Sequence, residues 1–271
     1  MEGARDVEGA GGIEVRGLGL KGPRGWAFRD VSFTAPPGGL VALEGPSGTG
    51  RTSLLLALTG RMKTAEGTAT VAGIRLPGHL AALRRISALA HVQGVTDLEP
   101  ALTVGEHLHE RALLQRRFGG SLRGLLRPRA ERASEARRRI DTALATAGLD
   151  LAALPKGART AVRDLERLEA LRLSVALALI GRPLVLGVDD TDLKLPDAGR
   201  ADAWAALRSV AASGTTVLAV CSDAPGDALR VPVRAAADEP HTGTHTDTGT
   251  DTGAHTDTKE TGDAFAEARG A

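Results

Sequence analysis

The segment GPSGTGRTS, residues 45–53, has the glycine spacing of a loop that binds phosphate. The pattern G-x-x-x-x-G-K-[ST] curls backbone N–H groups round a phosphate chain, and Gly45, Gly48 and Gly50 allow that close approach. The lysine of the pattern is replaced here by Arg51. A glycine-rich turn between a strand and a helix would show similar residues, so this segment alone leaves both interpretations open.

The context of the segment favours the phosphate loop. The β-prone run LVALE precedes it and the helical run SLLLALT follows it, and a helix N-terminus adds its dipole to anion binding. The apolar run PLVLGV ends in Asp189 and Asp190, which indicates a Walker B strand with a carboxylate directed at Mg²⁺. Gln93 follows a further predicted strand, ISALAHV.

Taken in order, these motifs resemble those of ATP-binding cassette (ABC) ATPase subunits, over residues 13 to about 235. The similarity is carried by VSFTAPPGGLVALEGPSGTGRTSLL, ALTVGEHL and LALIGRPLVLGVDD. It implies an α/β P-loop nucleoside triphosphatase fold of the ABC ATPase type, a mixed sheet with an antiparallel β part and an inserted helical subdomain. ATP and Mg²⁺ are the implied cofactors.

The resemblance also implies roles for individual residues. The backbone amides of residues 48–52 would hold the β-phosphate. Thr52, Gln93 and Asp189 would bind Mg²⁺, Asp189 through water, and Gln93 would also sense the γ-phosphate. Asp190 takes the place of the general base. The implied nucleotide-binding residues are Gly45, Pro46, Ser47, Gly48, Thr49, Gly50, Arg51, Thr52 and Ser53, with Ser53 at the α-phosphate.

Several residues depart from the family pattern and predict weak ATP hydrolysis. The guanidinium of Arg51 is broader than an ammonium, and a lost charged hydrogen bond weakens binding about ten- to a hundredfold. The Asp190 carboxylate lies about 1.5 Å further back than that of glutamate, although a base must approach its proton closely. Ser222 replaces the switch histidine, and Leu195-Pro196-Asp197 scrambles the D-loop. Trp26 is the nearest candidate for an aromatic residue that stacks on adenine. The alternative is that it only packs against neighbouring residues.

The family signature LSGGQ is replaced by LERLE, residues 165–169. Glu166 would bring a carboxylate towards the partner subunit's triphosphate, and Arg167 and Leu168 would prevent close backbone approach. The alternative interpretation is an ordinary helix with a hydrophobic seam and a charged face. Because each ABC site combines one subunit's loop with the other's signature, neither a homodimer nor a heterodimer would form a complete site.

Three functions stay open at this stage. The first is the ATP-binding subunit of an ABC transporter, dimeric and docked on a membrane permease at the inner, cytoplasmic face of the cell membrane. The second is a non-hydrolysing pseudo-ATPase that regulates or scaffolds a membrane protein. The third is a soluble ABC protein of translation or DNA repair, which usually carries two cassettes. The sequence does not specify the substrate or the direction of transport.

The elements that must position these residues can be predicted from composition and pattern. Aromatic residues supply only 2% of the chain, so the core must consist of Leu, Val, Ile and Ala. A net charge of +1 gives no general attraction to nucleic acid, and Cys221 is the only cysteine, so no intrachain disulfide can form. The predicted organisation is a flexible leader (1–12), a nucleotide-binding domain (13–237) with a helical subdomain at about 97–163, and a disordered tail (238–271).

Local signals place the individual elements. The turn PPGG separates two predicted strands, and TATVAGIRL is predicted as one strand. Thr103 and Glu106 form the pattern of a capping box, and Gly148 follows a second helix as a C-terminal cap. Further helices are predicted over 165–181 and 198–212, and further strands at TTVLAV and near VPVRAA.

Two segments have open interpretations. The cationic segment between Arg111 and Arg139 is either a solvated helical face, a surface apposed to a membrane or, least favoured because Phe118 is its only aromatic residue, a nucleic-acid contact. The Thr/Asp/Gly/His-rich tail is predicted to be a solvated low-complexity segment. Weak metal binding is the alternative for its histidines His241, His245 and His255.

Overall fold

The computed structural model describes residues 11–23, 25–118, 129–192 and 195–234. The predictions for most of the leader, for the centre of the arginine-rich segment and for the tail with His241, His245 and His255 lie outside these ranges. Gly11, which the prediction assigned to the leader, accepts a hydrogen bond through its carbonyl oxygen from the Thr216 hydroxyl at 2.6 Å.

One sheet is antiparallel, with the strand order β2-β1-β4-β5. In the first two strands, apolar and β-branched residues alternate with polar ones over much of the length, so one face of each strand is buried. The strands are β1 (Ile13–Gly22), β2 (Gly25–Ala35), β4 (Glu66–Val71) and β5 (Ile74–Leu76). The predicted single strand TATVAGIRL is wrong, because the chain reverses between β4 and β5. Ala72 and Gly73 have φ angles of 48° and 76° and form the turn, with Val71 opposite Ile74.

The second sheet is parallel, with the strand order β6-β7-β8-β3-β9. Apart from the exposed edge strand β9, its strands are short and almost continuously apolar, as expected for strands covered on both faces. They are β3 (Leu40–Glu44), β6 (Ser87–Ala90), β7 (Val185–Val188), β8 (Thr216–Cys221) and β9 (Leu229–Pro232). Because the strands are parallel, the residues that follow them meet at one edge of the sheet.

Six α-helices occur in the described ranges: α1 (Arg51–Leu58), α2 (Leu80–Ile86), α3 (Val104–Phe118), α4 (Arg129–Ala147), α5 (Arg167–Leu179) and α6 (Asp197–Ala212). The predicted capping box precedes α3, since the Thr103 N–H donates to Glu106 Oε2 at 2.7 Å and the Glu106 N–H donates to the Thr103 hydroxyl oxygen at 3.2 Å. Gly148 ends α4 as predicted, with its N–H donating to the Ala145 carbonyl oxygen at 3.2 Å.

The parallel sheet separates two apolar cores. In β3, Val41 and Leu43 face the antiparallel sheet and α1, whereas Ala42 faces the helices on the other side. The same alternation occurs in β8, because successive side chains of a strand point to opposite faces. The helix-facing positions are mostly small, which lets α5 pack closely against the sheet.

Three arginines gather round Glu135 in the described part of the arginine-rich segment and beside it. In α4, Arg138 and Arg139 donate to the Glu135 carboxylate, the latter at 2.9 Å, and these hydrogen bonds lower the pKa of Glu135 to about 2. Arg182 lies 3.7 Å from the same carboxylate. Such exposed pairs contribute little stability, but they are the pattern of a solvated helical face.

Candidate functional site

The glycine-rich loop joins β3 to α1 at the carboxyl edge of the parallel sheet. Gly48 and Gly50 both have a φ of 84°, a left-handed conformation that glycine adopts without strain. The Thr49 hydroxyl donates to the Pro46 carbonyl oxygen at 2.9 Å, which closes the loop on itself. Helix α1 then begins with the Leu54 N–H donating to the Gly50 carbonyl oxygen at 2.9 Å.

Two of the loop glycines are required by the surrounding backbone. A Cβ atom on Gly45 would lie 2.4 Å from the Val233 carbonyl oxygen, and one on Gly50 would lie 2.0 Å from the Ala27 carbonyl oxygen. In contrast, a Cβ on Gly48 would meet no atom within 4 Å. The outer part of the loop therefore faces open space, as an anion cradle must, while its base is packed tightly.

Thr52 and Asp189 meet across the sheet edge. The Thr52 hydroxyl donates to Asp189 Oδ2 at 2.8 Å, which ties the first turn of α1 to the residue after β7. Asp189 is buried, with 5% of its surface exposed, and burial raises the pKa of its carboxyl group, with the charge of Asp190 acting in the same direction. A hydroxyl and a carboxylate are oxygen ligands of the kind that Mg²⁺ prefers, and a cation would relieve this unfavourable burial of charge.

Asp190 follows directly and turns away from the strand. Its φ is 47°, and its N–H donates to Asp189 Oδ1 at 3.0 Å. The half-buried side chain lines a cavity of about 500 Å³ between the end of β6 and helix α5. A water molecule can therefore reach the Asp190 carboxylate from this cavity.

Arg51 does not extend over the loop. Its Nη1 atom donates to the carbonyl oxygen of Cys221, the last residue of β8, at 2.5 Å. Burial raises the pKa of the Cys221 thiol to about 12, so this cysteine is not a thiolate nucleophile near neutral pH. Ser222 is exposed, and its N–H donates to Asp192 Oδ2 at 2.6 Å.

Gln93 is the third residue after the end of β6 at Ala90. Its side chain is exposed at the cavity lined by Asp190. The residue that directly follows β6 is His91, which is half-buried and lines the same cavity. The predicted strand ISALAHV included His91, whereas β6 ends at Ala90 and leaves His91 at the cavity.

Residues 165–169 lie at the start of helix α5, a position that both interpretations of this segment predicted. Glu166 is the N-cap of α5 and forms a capping box with Glu169, in which the Glu166 N–H donates to Glu169 Oε2 at 2.8 Å. Beyond its first turn α5 is mostly buried rather than divided into a seam and a charged face, because it lies between the parallel sheet and the surrounding helices.

Trp26 contacts two cations. Its ring lies 4.7 Å from the Arg29 guanidinium carbon and 5.6 Å from Lys21 Nζ. These contacts occupy the ring within the β1–β2 hairpin and favour a packing role. In the scrambled D-loop, Pro196 is the N-cap of α6 and Asp197 contacts Arg200.

A strand, a glycine loop and a helix define the P-loop nucleoside triphosphatase class when a buried aspartate follows another parallel strand of the same sheet, here β7, which β8 separates from β3. The family model described as ABC transporter matches residues 28–192, which is more than half of the chain. The chain belongs to the ABC transporter family and is one of its ATP-binding subunits.

Similar proteins agree with this assignment. The Nod factor export ATP-binding protein I of Ralstonia nicotianae is 31% identical over 206 residues, 76% of this chain and 58% of that protein. A putative ABC transporter ATP-binding protein of Streptomyces avermitilis is 32% identical over 215 residues, 79% of this chain and 73% of that protein. The chain spans little more than half the length of the Nod factor export proteins that it matches.

Solved structures show the same fold. The bacterial ABC transporter cassette MJ0796 matches with a TM-score of 0.61 and 21% identity over 81% of this chain and 94% of that chain. CbiO1 of Clostridium perfringens matches with a TM-score of 0.62 and 18% identity over 78% of each chain. Within the described ranges, no helix is both long and apolar enough to cross a membrane.

Proposed function

We propose that this chain binds MgATP in the loop of residues 45–53. The amides of residues 48–52 would surround the β-phosphate, and Ser53 would contact the α-phosphate. Thr52 and Asp189 would hold Mg²⁺, which supplies positive charge to the phosphate chain. The observation that supports this proposal best is the 2.8 Å hydrogen bond between Thr52 and Asp189, because it brings a loop hydroxyl and a buried carboxylate to one point.

The role of Mg²⁺ can be tested with Thr52→Val, which removes the hydroxyl and keeps the shape of the side chain. The Mg²⁺-dependent gain in ATP affinity is expected to fall about tenfold, since one oxygen ligand to a charged group is lost. Isothermal titration of ATP with and without Mg²⁺ measures this gain. Thr68→Val, on the exposed part of β4, is the matched control. An unchanged gain in Thr52→Val would contradict the assignment.

We further propose that the bound nucleotide couples dimerisation of two ABC subunits to movement of a membrane permease. The family membership supports this role, and it would place the chain at the cytoplasmic face of the membrane. The helices between about 97 and 163 would face the permease. Co-purification of the chain with a polytopic membrane protein tests the coupling.

Weak hydrolysis is part of the proposal. The Asp190 side chain is shorter than that of a glutamate base, and the Gln93 side chain is exposed. The capping box at Glu166 already occupies the start of the helix where the family binds a γ-phosphate. Steady-state phosphate release from MgATP is expected to stay below about 1 s⁻¹, the lower end of ordinary enzyme turnover. A rate between about 1 and 10³ s⁻¹ would contradict this expectation.

The second candidate is a pseudo-ATPase that binds nucleotide without hydrolysing it. It is favoured specifically by the pair of carboxylates at Glu166 and Glu169, which are unsuited to a triphosphate. Retained ATP binding with no detectable phosphate release would select this candidate over the first.

A further inference from the structure

A second cavity, of about 330 Å³, lies at the amino edge of the parallel sheet, opposite to the edge that carries the glycine loop. Leu184, which precedes β7, and Thr215, which precedes β8, line this cavity, whereas Asp189 follows β7 at the other edge. One face of α4 forms a further wall with Thr142 and Thr146. The volume is within the range of small-molecule sites, about 300–1,000 Å³.

Hydrogen bonds hold the walls of this cavity in place. The Thr215 hydroxyl donates to the Pro183 carbonyl oxygen at 3.1 Å, and the Thr216 N–H donates to the Leu184 carbonyl oxygen at 2.9 Å. These two bonds tie the loop before β7 to the loop before β8. The cavity is therefore formed before any ligand binds.

The cavity lies beside an excess of positive charge. Arg138 and Arg139 donate to the Glu135 carboxylate, and Arg182 Nη2 lies 3.7 Å from Glu135 Oε1. Within the described ranges, none of the three guanidinium groups forms an ion pair with another carboxylate, so two positive charges stay without a counterion. Arg139 and Arg182 line the cavity. A phosphate monoester carries a charge of about −1.5 to −2 at neutral pH, which matches this excess.

Arg182 has an unfavourable backbone conformation. Its φ of 52° lies in the left-handed region that favours glycine, and Pro183 after it favours an extended conformation instead. Its guanidinium contacts Glu135 and, among the described residues, none of the carbonyl oxygens at the end of α5, so this arginine does not cap that helix. Strained residues of this kind cluster at sites that bind ligands.

We propose that this cavity is a second ligand site, which binds a small phosphate monoester through Arg139 and Arg182. The planar fork of a guanidinium matches phosphate oxygens with paired hydrogen bonds. The hydroxyls of Thr142 and Thr146 are further donors at the same wall. Because the cavity and the glycine loop lie at opposite edges of the sheet, both sites can be occupied in the same molecule.

The test is isothermal titration of the full chain with glycerol 3-phosphate. Arg182→Gly is expected to lower the affinity about ten- to a hundredfold, because charged hydrogen bonds to the phosphate are lost. Glycine relieves the positive φ, so this variant should fold, and Arg139→Ala should show a similar loss. Arg138→Ala is the matched control: it removes the same charge from the Glu135 cluster but does not line the cavity, and its affinity should change less than twofold. An excess of MgATP should not displace the ester.

A lipid head group and a soluble ester share this phosphate chemistry, and vesicles that contain phosphatidic acid distinguish them. Co-sedimentation that is lost in Arg182→Gly would assign the phosphate to a lipid, whereas binding of glycerol 3-phosphate alone would assign it to a soluble molecule. The proposal is overturned if the wild type binds neither probe, or if Arg182→Gly binds as the wild type does. Equal losses in Arg182→Gly and Arg138→Ala would also overturn it, since they indicate general attraction of anions, and displacement by MgATP would assign the binding to the glycine loop.

Discussion

Gly50→Ala is expected to destabilise the protein by about 2–5 kcal/mol and to abolish nucleotide binding. The left-handed φ of 84° costs an alanine about 1–2 kcal/mol. The new Cβ would also lie 2.0 Å from the Ala27 carbonyl oxygen, and the backbone of β2 can move away only by disturbing the core beneath it. Overpacking of this kind adds about 1–3 kcal/mol. Urea unfolding measures the total.

Gly48→Ala is the matched control, because Gly48 has the same φ of 84° and no atom within 4 Å of the added carbon. It is expected to lose only the conformational cost, about 1–2 kcal/mol. The difference in the free energy of unfolding between the two variants measures the cost of the steric contact with β2. Equal losses of stability would show that the contact at Gly50 is relieved without cost. Gly48→Ala should still weaken ATP binding, because its methyl group would enter the space in front of the loop.

Arg51→Lys is expected to raise MgATP affinity about ten- to a hundredfold while lowering the stability of the free protein. In the wild type the Arg51 guanidinium donates to the Cys221 carbonyl oxygen at 2.5 Å. It can reach the phosphates only by breaking this hydrogen bond. A lysine ammonium is compact enough to reach them, and a charged hydrogen bond contributes about 1.5–3 kcal/mol. Opposite changes in affinity and stability cannot arise from a general folding defect.

Calorimetric titration and urea unfolding of Arg51→Lys measure the two changes. Arg84→Lys is the control, because Arg84 also donates to a backbone carbonyl oxygen, that of Gly60 at 3.0 Å, away from the loop. It should lose stability without any change in affinity. If Arg51→Lys leaves the affinity unchanged, the size of the guanidinium is not what limits binding.

The elements with strong local signals could be predicted from the sequence. The parallel strands are apolar runs bounded by turn residues, and the cap residues Thr103 and Gly148 mark real helix ends. The hairpin at Ala72-Gly73 could not be predicted, because its turn requires positive φ at both residues and alanine is a poor signal for that conformation. Helix α2 was also missed, since it is short and buries only Leu83.

The candidate site was predictable in its chain order but not in its contacts. The approach of Thr52 to Asp189 follows from a strand–loop–helix unit and a parallel strand of the same sheet, β7, which is separated from β3 by β8. The bond from Arg51 to Cys221 joins residues far apart in the chain, and no local pattern encodes it. The packing of Gly50 against β2 could not be predicted for the same reason. The phosphate-loop motif accounts for this glycine only by the close approach of the backbone to phosphate.

The paired glutamates that start α5 also affect how two copies of this chain could meet. When one cassette lies face to face with another, a nucleotide in either loop would lie opposite Glu166 and Glu169, so like charges would oppose each other at the seam. Two such charges about 5 Å apart repel by roughly 3 kcal/mol at an effective dielectric constant near 20. A symmetric pair would experience this repulsion twice, so the nucleotide-dependent dimer proposed above would be weakened by these glutamates.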